Sequence, residues 1–426
     1  MKKYISLLLL LSILASMLTA CGSKAPVSAA EPLEVPQPEN VSGKDIDPKF
    51  DEAYMALTAQ LLQQAAEEKH GENMLVSPLS VQMALAMTAN GAAGKTREEM
   101  ENVLGQGIPV DELNQYLYSY LYDSSAGVTR NEACKLQIAN SIWFRDHKQT
   151  LQVEESFLQD VSDYYAADVY LRAFDSSTVK EINAWANEKT DGMIPEILDK
   201  IDSSNMLYLI NAITFDAQWA DPYVDFSMRD GDFTTFAGKK QNVTMMHGSE
   251  GIYLEDNRAT GFMKPYEGGR FAYAVLLPNE GTDLFEYVSG LTADSLAQTL
   301  SEARSCEVIT QMPKFSYEFE VEMSDMLKTM GMPTAFDTDQ ADLSKMASCE
   351  AGNLFVGRVL HKTFIRVDGK GTQAGAITMV DVPCGSAMEP ERVIKEVIVD
   401  RPFVYMILDV EDNLPIFIGC VTEITE

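Results

Sequence analysis

Basic charge is scarce in this chain: 33 Lys and Arg stand against 64 Asp and Glu, a formal net charge of -31. A surface of that sign repels phosphate backbones, which excludes nucleic acid as a partner and any polyanionic cofactor that needs a basic patch. Histidine is scarcer still. His70, His147, His247 and His361 stand far apart, and no two have the spacing of a metal-ligand pair, so no metal or other cofactor is expected. Cysteine is present without pattern. Apart from Cys21, those at 134, 306, 349, 384 and 420 are odd in number and lack CxxC spacing, which argues against a disulfide framework and against a zinc site. Catalytic signatures are missing as well. No serine sits in a G-x-S-x-G elbow; the nearest approach is HGSEG at 247–251, with His247 where the first glycine belongs. HExxH, P-loop and GxGxxG patterns are absent. A serine hydrolase built on Ser386 and His361 therefore has no scaffold. His361, alone inside an apolar strand, reads as a hydrogen-bonded core group rather than a base.

The start of the chain carries targeting information rather than fold. Lys2 and Lys3 precede an apolar run, Tyr4 to Ala20, that is short for a membrane span and reads as an export signal over residues 1–20. Its ending, Leu18-Thr19-Ala20-Cys21, resembles a bacterial lipoprotein cleavage box in which Cys21 becomes the lipidated first residue; the alternative is an ordinary signal peptide with a chance cysteine. The expectation is an exported protein held at the cell surface by a lipid anchor. Residues 21–45, rich in Ser, Ala, Pro and Glu, read as a disordered tether. Residues 46–426 show no repeat and no second linker, and are expected to form one domain.

That domain opens helical and turns mostly to strands. Apolar residues at helical spacing predict a helix over 47–66. Ser77 before Pro78 is an N-cap followed by a first-turn proline, and Leu79 to Ala89 is apolar almost all round, so this helix has to be buried. Thr96 with Glu99 predicts a capping box for a helix through Leu104, and Asp111 opens another ending near Asp123. Further helices are expected over Glu155 to Tyr165, Val179 to Asn187, Leu284 to Val288, Ala293 to Ala303 and Met323 to Met330. Strands are expected over Leu136 to Trp143, Met206 to Trp219, Gly231 to Phe236, Val243 to His247, Gly251 to Leu254, Phe271 to Leu277, Glu307 to Val321, Leu354 to Val367, Val393 to Val399, Phe403 to Leu408 and Ile416 to Val421. The apolar length of Met206 to Trp219 implies cover on both faces. The count favours an α+β domain with mixed and antiparallel sheets.

One segment does not fit a passive connection. VDGKGTQAGAITMVDVPCGSAMEP, residues 367–390, joins two strands, is nearly uncharged, and is far longer than a turn. If it became a strand, Thr372, Ala374, Ala376, Thr378 and Val380 would share one face, all small or apolar, while Gln373, Gly375, Ile377, Met379 and Asp381 would share the other. The pattern suits burial of one face.

Along nearly all of residues 47–424 the chain resembles a serpin, a serine-protease inhibitor that inserts its own loop into its central sheet. The resemblance rests on NMLVSPLSVQMALAMTANGAAGKTREEM (73–100), IANSIWF (138–144), INAWANEKTDGMI (182–194), LINAITFDAQW (209–219), VTMMH (243–247), FAYAVLLP (271–278), MPKFSYE (312–318), LHKTFIRVDGKGTQAGAIT (360–378) and DRPFVYMIL (400–408), in family order. It implies a mixed central sheet with two further sheets, about nine helices and an exposed reactive-centre loop. It also implies that Ser77, Pro78, Ser80, Asn211 and His361 form the "shutter" beneath the centre of the sheet, and that Trp219 is the "breach" tryptophan at its top. Gly371, Thr372, Gln373, Ala374, Gly375, Ala376, Ile377 and Thr378 would be the hinge. Family loop spacing puts the scissile bond at Gly385 and Ser386, with Cys384, Ala387 or Met388 as alternatives. The implied function is covalent trapping of a serine protease; small residues there suit an elastase-like or subtilisin-like enzyme rather than a trypsin-like one. Gly369 and Gln373 depart from the family's acidic residues, and both are expected at the outer or edge face. DELNQYLYSYLYD (111–123) contains no Lys or Arg, so no heparin-type cofactor is expected. A monomer is expected. A serpin-fold binding protein without inhibitory action, and more distantly a hydrolase, are the alternatives.

Overall fold

The apolar run at 207–218 and the β-branched and aromatic closing segments at 403–409 and 414–421 form strands in two different sheets. The computed structural model describes residues 31–39, 41–122, 134–146, 151–202, 205–350, 352–372 and 393–425. In chain order its strands are β1 (Met74–Val76), β2 (Cys134–Arg145), β3 (Leu151–Val153), β4 (Asp168–Arg172), β5 (Leu207–Gln218), β6 (Met228–Thr234), β7 (Lys240–Glu255), β8 (Ala259–Pro265), β9 (Phe271–Pro278), β10 (Arg304–Pro313), β11 (Phe315–Glu322), β12 (Ala347–Cys349), β13 (Arg358–Val367), β14 (Gly371–Thr372), β15 (Ile394–Ile398), β16 (Phe403–Asp409) and β17 (Leu414–Val421). The main sheet is mixed, with order β11-β13-β14-β5-β2-β4. A second sheet runs β1-β17-β16-β9-β8-β7-β10-β15 with β6 also on β7, and β3 pairs with β12. The architecture is α+β, a mixed main sheet with two further sheets, as the resemblance to serpins implies.

Helices cover these sheets. They are α1 (Pro48–Glu68), α2 (Pro78–Asn90), α3 (Gly94–Gly105), α4 (Val110–Tyr122), α5 (Glu155–Asp160), α6 (Ser176–Lys189), α7 (Leu284–Ser289), α8 (Ala293–Ser301) and α9 (Ser324–Met330). Every residue of α2 is buried, as its unbroken apolar surface requires, and Ser77 caps it by accepting from the Ser80 amide. Helix α6 lies across the opposite face of the main sheet. Its Ile182 and Trp185 join Trp143, Tyr208, Ile210 and Leu360 in a separate apolar cluster, in which Trp143 stacks on Tyr170 at 3.9 Å. Strand β5 is thus covered on both sides, which explains its apolar length.

Several expectations need correction. The capping box of Thr96 and Glu99 does not form, because α3 begins at Gly94 behind Ala93. Both side chains bond to neighbouring segments instead: Glu99 accepts from the amide and hydroxyl of Thr334, and the Thr96 hydroxyl accepts from the Asp342 amide. The helix over Glu155 to Tyr165 is α-helical only to Asp160 and continues as a π-turn over Val161–Tyr165. Glu307 to Val321 is two strands in different sheets, parted at Lys314, whose flanking strands β10 and β11 pair with β7 and β13. The separate strands at Val243 and Gly251 are one, β7. Strand β8 was not expected at all; its Gly261 lies so close to the Val275 carbonyl that a Cβ would sit 1.8 Å from that oxygen, so packing rather than β-propensity sets this position. Residues 31–39, assigned by composition to a tether, lie against the body: the Leu33 amide donates to the Val169 carbonyl of β4 at 2.6 Å, and the Ser162 hydroxyl donates to the Pro36 carbonyl at 2.7 Å.

Candidate functional site

The main sheet is built from two well-laddered halves. Strand β13 pairs antiparallel with β11 from Phe315–Val367 to Glu322–Leu360, and β5 pairs antiparallel with β2 from Cys134–Ala217 to Phe144–Leu207. Where the halves meet, β13 and β5 run parallel and their ladder covers only Arg358–Leu360 with Tyr208–Ile210. The next strand to touch both is β14, higher up, where Thr372 pairs with Val367 on one side and Ala217 on the other. Between these two closures His361 to Arg366 faces Asn211 to Asp216.

A polar cluster marks the lower end of this seam. Ser77 donates its backbone N–H to His361 Nε2 at 3.1 Å and its hydroxyl to the Ile416 carbonyl at 2.8 Å. The Ser80 hydroxyl donates to Asn211 Oδ1, and Asn211 Nδ2 donates to Asn140 Oδ1 at 2.6 Å. One network therefore ties α2 to β13, β5 and β2. All of these groups are buried, and each has a partner, as buried polar groups require. Burial alone pushes the His361 imidazole down to about 4, so it is neutral and accepts through Nε2. Pro78 occupies the first turn of α2, where its missing N–H costs no hydrogen bond. The structure thus brings Ser77, Ser80, Asn211 and His361 together. It adds Asn140, which sequence reasoning missed although an asparagine in the middle of the apolar run IANSIWF was the available signal.

An aromatic shelf holds the upper end. Trp219 donates from Nε1 to the Asp368 carbonyl at 2.8 Å and from its amide to the Lys370 carbonyl at 2.9 Å. Its ring stacks on Tyr266 with centroids 4.6 Å apart. Beneath it, Lys264 and Glu250 form a buried ion pair at 2.9 Å, with the ammonium 4.4 Å from the Tyr223 ring centre. The Tyr266 hydroxyl shares a hydrogen bond with Thr372 Oγ1 at 2.5 Å. Thr372 is buried, on the face the alternation assigned to the interior. Gly371 is required here, since a Cβ would lie 2.1 Å from the Ala217 carbonyl oxygen. Gly369 is not at an outer face as expected: it is buried, and a Cβ would come within 3.1 Å of Met228 Sδ, which gives a packing reason for glycine there. The hinge positions Gln373, Ala374, Gly375, Ala376, Ile377 and Thr378, the loop residues Cys384, Gly385, Ser386, Ala387 and Met388, and Cys21 lie outside the described residues.

Such a site offers no nucleophile and base in contact. What it offers is a slot, polar at one end and aromatic at the other, whose upper mouth already holds two residues of a third strand.

Comparison with known proteins agrees with this geometry. The family model described as Serpin (serine protease inhibitor) matches residues 52–424. An uncharacterised serpin-like protein of Thermococcus kodakarensis is 32% identical over 356 residues, covering 82% of this chain and 80% of that one. The leukocyte elastase inhibitor of Bos taurus is 29% identical over 369 residues, covering 83% and 93%. Among solved structures, the thermophilic serpin tengpin in its native state superposes with a TM-score of 0.85 at 42% identity, covering 91% of this chain and 97% of that one. Tengpin in its latent state gives 0.78 at 39% identity, with 90% and 100% covered. The arrangement described above is thus nearer to the native than to the latent form, and the chain belongs to the serpin family.

Proposed function

We propose that this protein inhibits serine proteases as a suicide substrate, taking elastase-like or subtilisin-like enzymes at Gly385–Ser386. The observation that carries the reading is the seam itself: two laddered half-sheets joined by three parallel pairs below and by β14 above. Extending the antiparallel register of Thr372 between Val367 and Ala217 sets Ala374 between Ile365 and Phe215, Ala376 between Thr363 and Ile213, and Thr378 between His361 and Asn211. Those flanking residues are buried, so the small side chains of the segment match the space they would enter. The same register sets Asp381, the only charged residue from 372 to 388, beside Arg358 at the foot of the seam.

The chemistry belongs to the protease. Its serine attacks the Gly385 carbonyl, the Gly385–Ser386 amide breaks, an ester to the protease serine forms, and the leaving amine takes the proton. The freed segment from Gln373 then enters the seam, and the ester-linked protease is carried with it and distorted before water can deacylate it. Insertion is downhill because it adds ladder hydrogen bonds on both sides, each contributing about 1 kcal/mol. The bovine relative named leukocyte elastase inhibitor supports the choice of an elastase-like target. The leader and the box ending at Cys21 support an exported, lipid-anchored bacterial protein. Mixing the purified protein with an elastase-like and a trypsin-like protease tests this. A complex stable in SDS is expected with the former, and loop cleavage without any complex overturns inhibition.

A further inference from the structure

Among the described residues large apolar side chains are nearly all covered; Ile252 and Ile309, on β7 and β10, are exposed only to 37% and 36%, and four others stand out further. Among the described residues Phe226 is 79% exposed and Val224 46% exposed, in and just before the short turn Asp225–Ser227. Val393 and Ile394, at the start of β15, are 63% and 59% exposed. Single exposed apolar residues are ordinary; pairs that bracket a functional segment are not. The turn bearing Phe226 is fastened two residues ahead of the hinge, because the Tyr223 amide donates to the Gly369 carbonyl at 2.8 Å. Val393 and Ile394 stand where the chain returns from residues 373–392. The two spots therefore flank the two bases of that segment. They are joined by the strand order β6-β7-β10-β15, a width of roughly 15 Å at ordinary strand spacing.

Charge completes the pattern on the Phe226 side. Asp221, Asp225 and Asp230 are all exposed around the turn, and the nearby Arg229 donates back to the Phe226 carbonyl. The result is an apolar knuckle with an acidic rim.

We propose that Val224 and Phe226, with Ile394 as the opposite support, form a docking surface for the target protease outside its catalytic cleft, and that the matching surface is an apolar depression rimmed by Lys and Arg. The proposal rests on the reading that residues 373–392 are the protease's substrate. An exposed aromatic anchor would supply the affinity and the acidic rim would raise the encounter rate at low salt.

The test measures the second-order rate of cleavage within residues 373–392, which does not depend on trapping. Two elastase-like proteases of the same primary specificity are used, one of high and one of low isoelectric point. The paired substitutions Val224→Ser and Phe226→Ala are expected to slow the basic protease about tenfold and the acidic one less than twofold. Asp225→Asn with Asp230→Asn should slow only the basic protease, with a smaller effect at high salt. A synthetic peptide of residues 378–390 should be cut equally fast in the presence of either protein. An unchanged rate, or equal slowing of both proteases, overturns the docking surface. So does a wild type that sediments as a dimer where the Phe226→Ala variant is monomeric, since the patch would then be a self-contact. Cleavage with the expected dependence but without an SDS-stable complex removes the inhibitory reading and leaves docking standing; no cleavage by either protease removes both.

Discussion

The seam of the main sheet and the core of the second sheet are both buried, yet they are built in opposite ways. Strands β9, β16 and β17 are buried at every position and apolar at nearly all, and β16 is laddered to β17 over Phe403–Asp409 and to β9 over Val404–Asp409. At the seam, burial is just as deep, but the groups are His361, Asn211, Ser77 and Ser80, and the ladder is short. Parting the first region would expose large apolar surface with no compensation. Parting the second exchanges one set of hydrogen-bond partners for another, which an incoming strand can supply. Depth of burial therefore does not distinguish the fixed frame from the moving part; polarity and ladder continuity do.

Cutting the chain gives the largest test of that contrast. A preparation cleaved once between Val382 and Met388 should melt about 12 °C higher than the intact protein, since roughly ten added hydrogen bonds contribute on the order of 10 kcal/mol. Calorimetry on intact and nicked samples decides it, and an equal melting temperature means the seam does not accept the segment. Next in size is Ala376→Arg. Insertion would set that side chain between Thr363 and Ile213, both buried, so the guanidinium would be desolvated and unpaired in the inserted form, at about 3–5 kcal/mol. Loss of the SDS-stable complex with loop cleavage retained is expected. A smaller effect is expected from Leu276→Ala in β9, where a fully buried side chain is removed from the frame at about 3 kcal/mol. That variant should melt lower without changing the ratio of complex to cleaved product, whereas seam variants should change the ratio.

Much of this was legible in the chain. The buried α2, the long β5 and the closing strands follow from unbroken apolar runs, and Ser77-Pro78 announces its helix start directly. The interior side of Thr372 follows from alternation alone. The parts that were not legible depend on neighbours distant in sequence. Glu99 leaves its own helix end because Thr334 offers two donors. Strand β8 exists because β7 and β9 hold it, and Gly261 is tolerated there by the approach of Val275. Gly369 could be placed on a face only once Met228 and Tyr223 were seen to cover it. Asn140 looked like one polar residue in an apolar strand until Asn211 was found opposite it.

His361 offers the subtlest separation of the two regions, through pH. Its imidazole is held down to about 4 by burial, against an ordinary value of 6.5. The unfolded chain therefore takes up a proton between these values while the folded chain does not, so the contribution is intact above about pH 6.5 and is lost as pH falls toward 4. The full loss is about 3 kcal/mol, of which about 2 kcal/mol has gone by pH 5. Asp51, raised to about 6 chiefly by desolvation, works in the opposite sense, so the total pH profile does not isolate the seam. The difference between wild type and His361→Gln does. Glutamine keeps an acceptor for the Ser77 amide and cannot titrate, so denaturant midpoints at pH 7.5, 6 and 5 should converge as pH falls. Parallel profiles would mean that the imidazole is charged in the folded protein, and that the seam is wetter than its burial indicates.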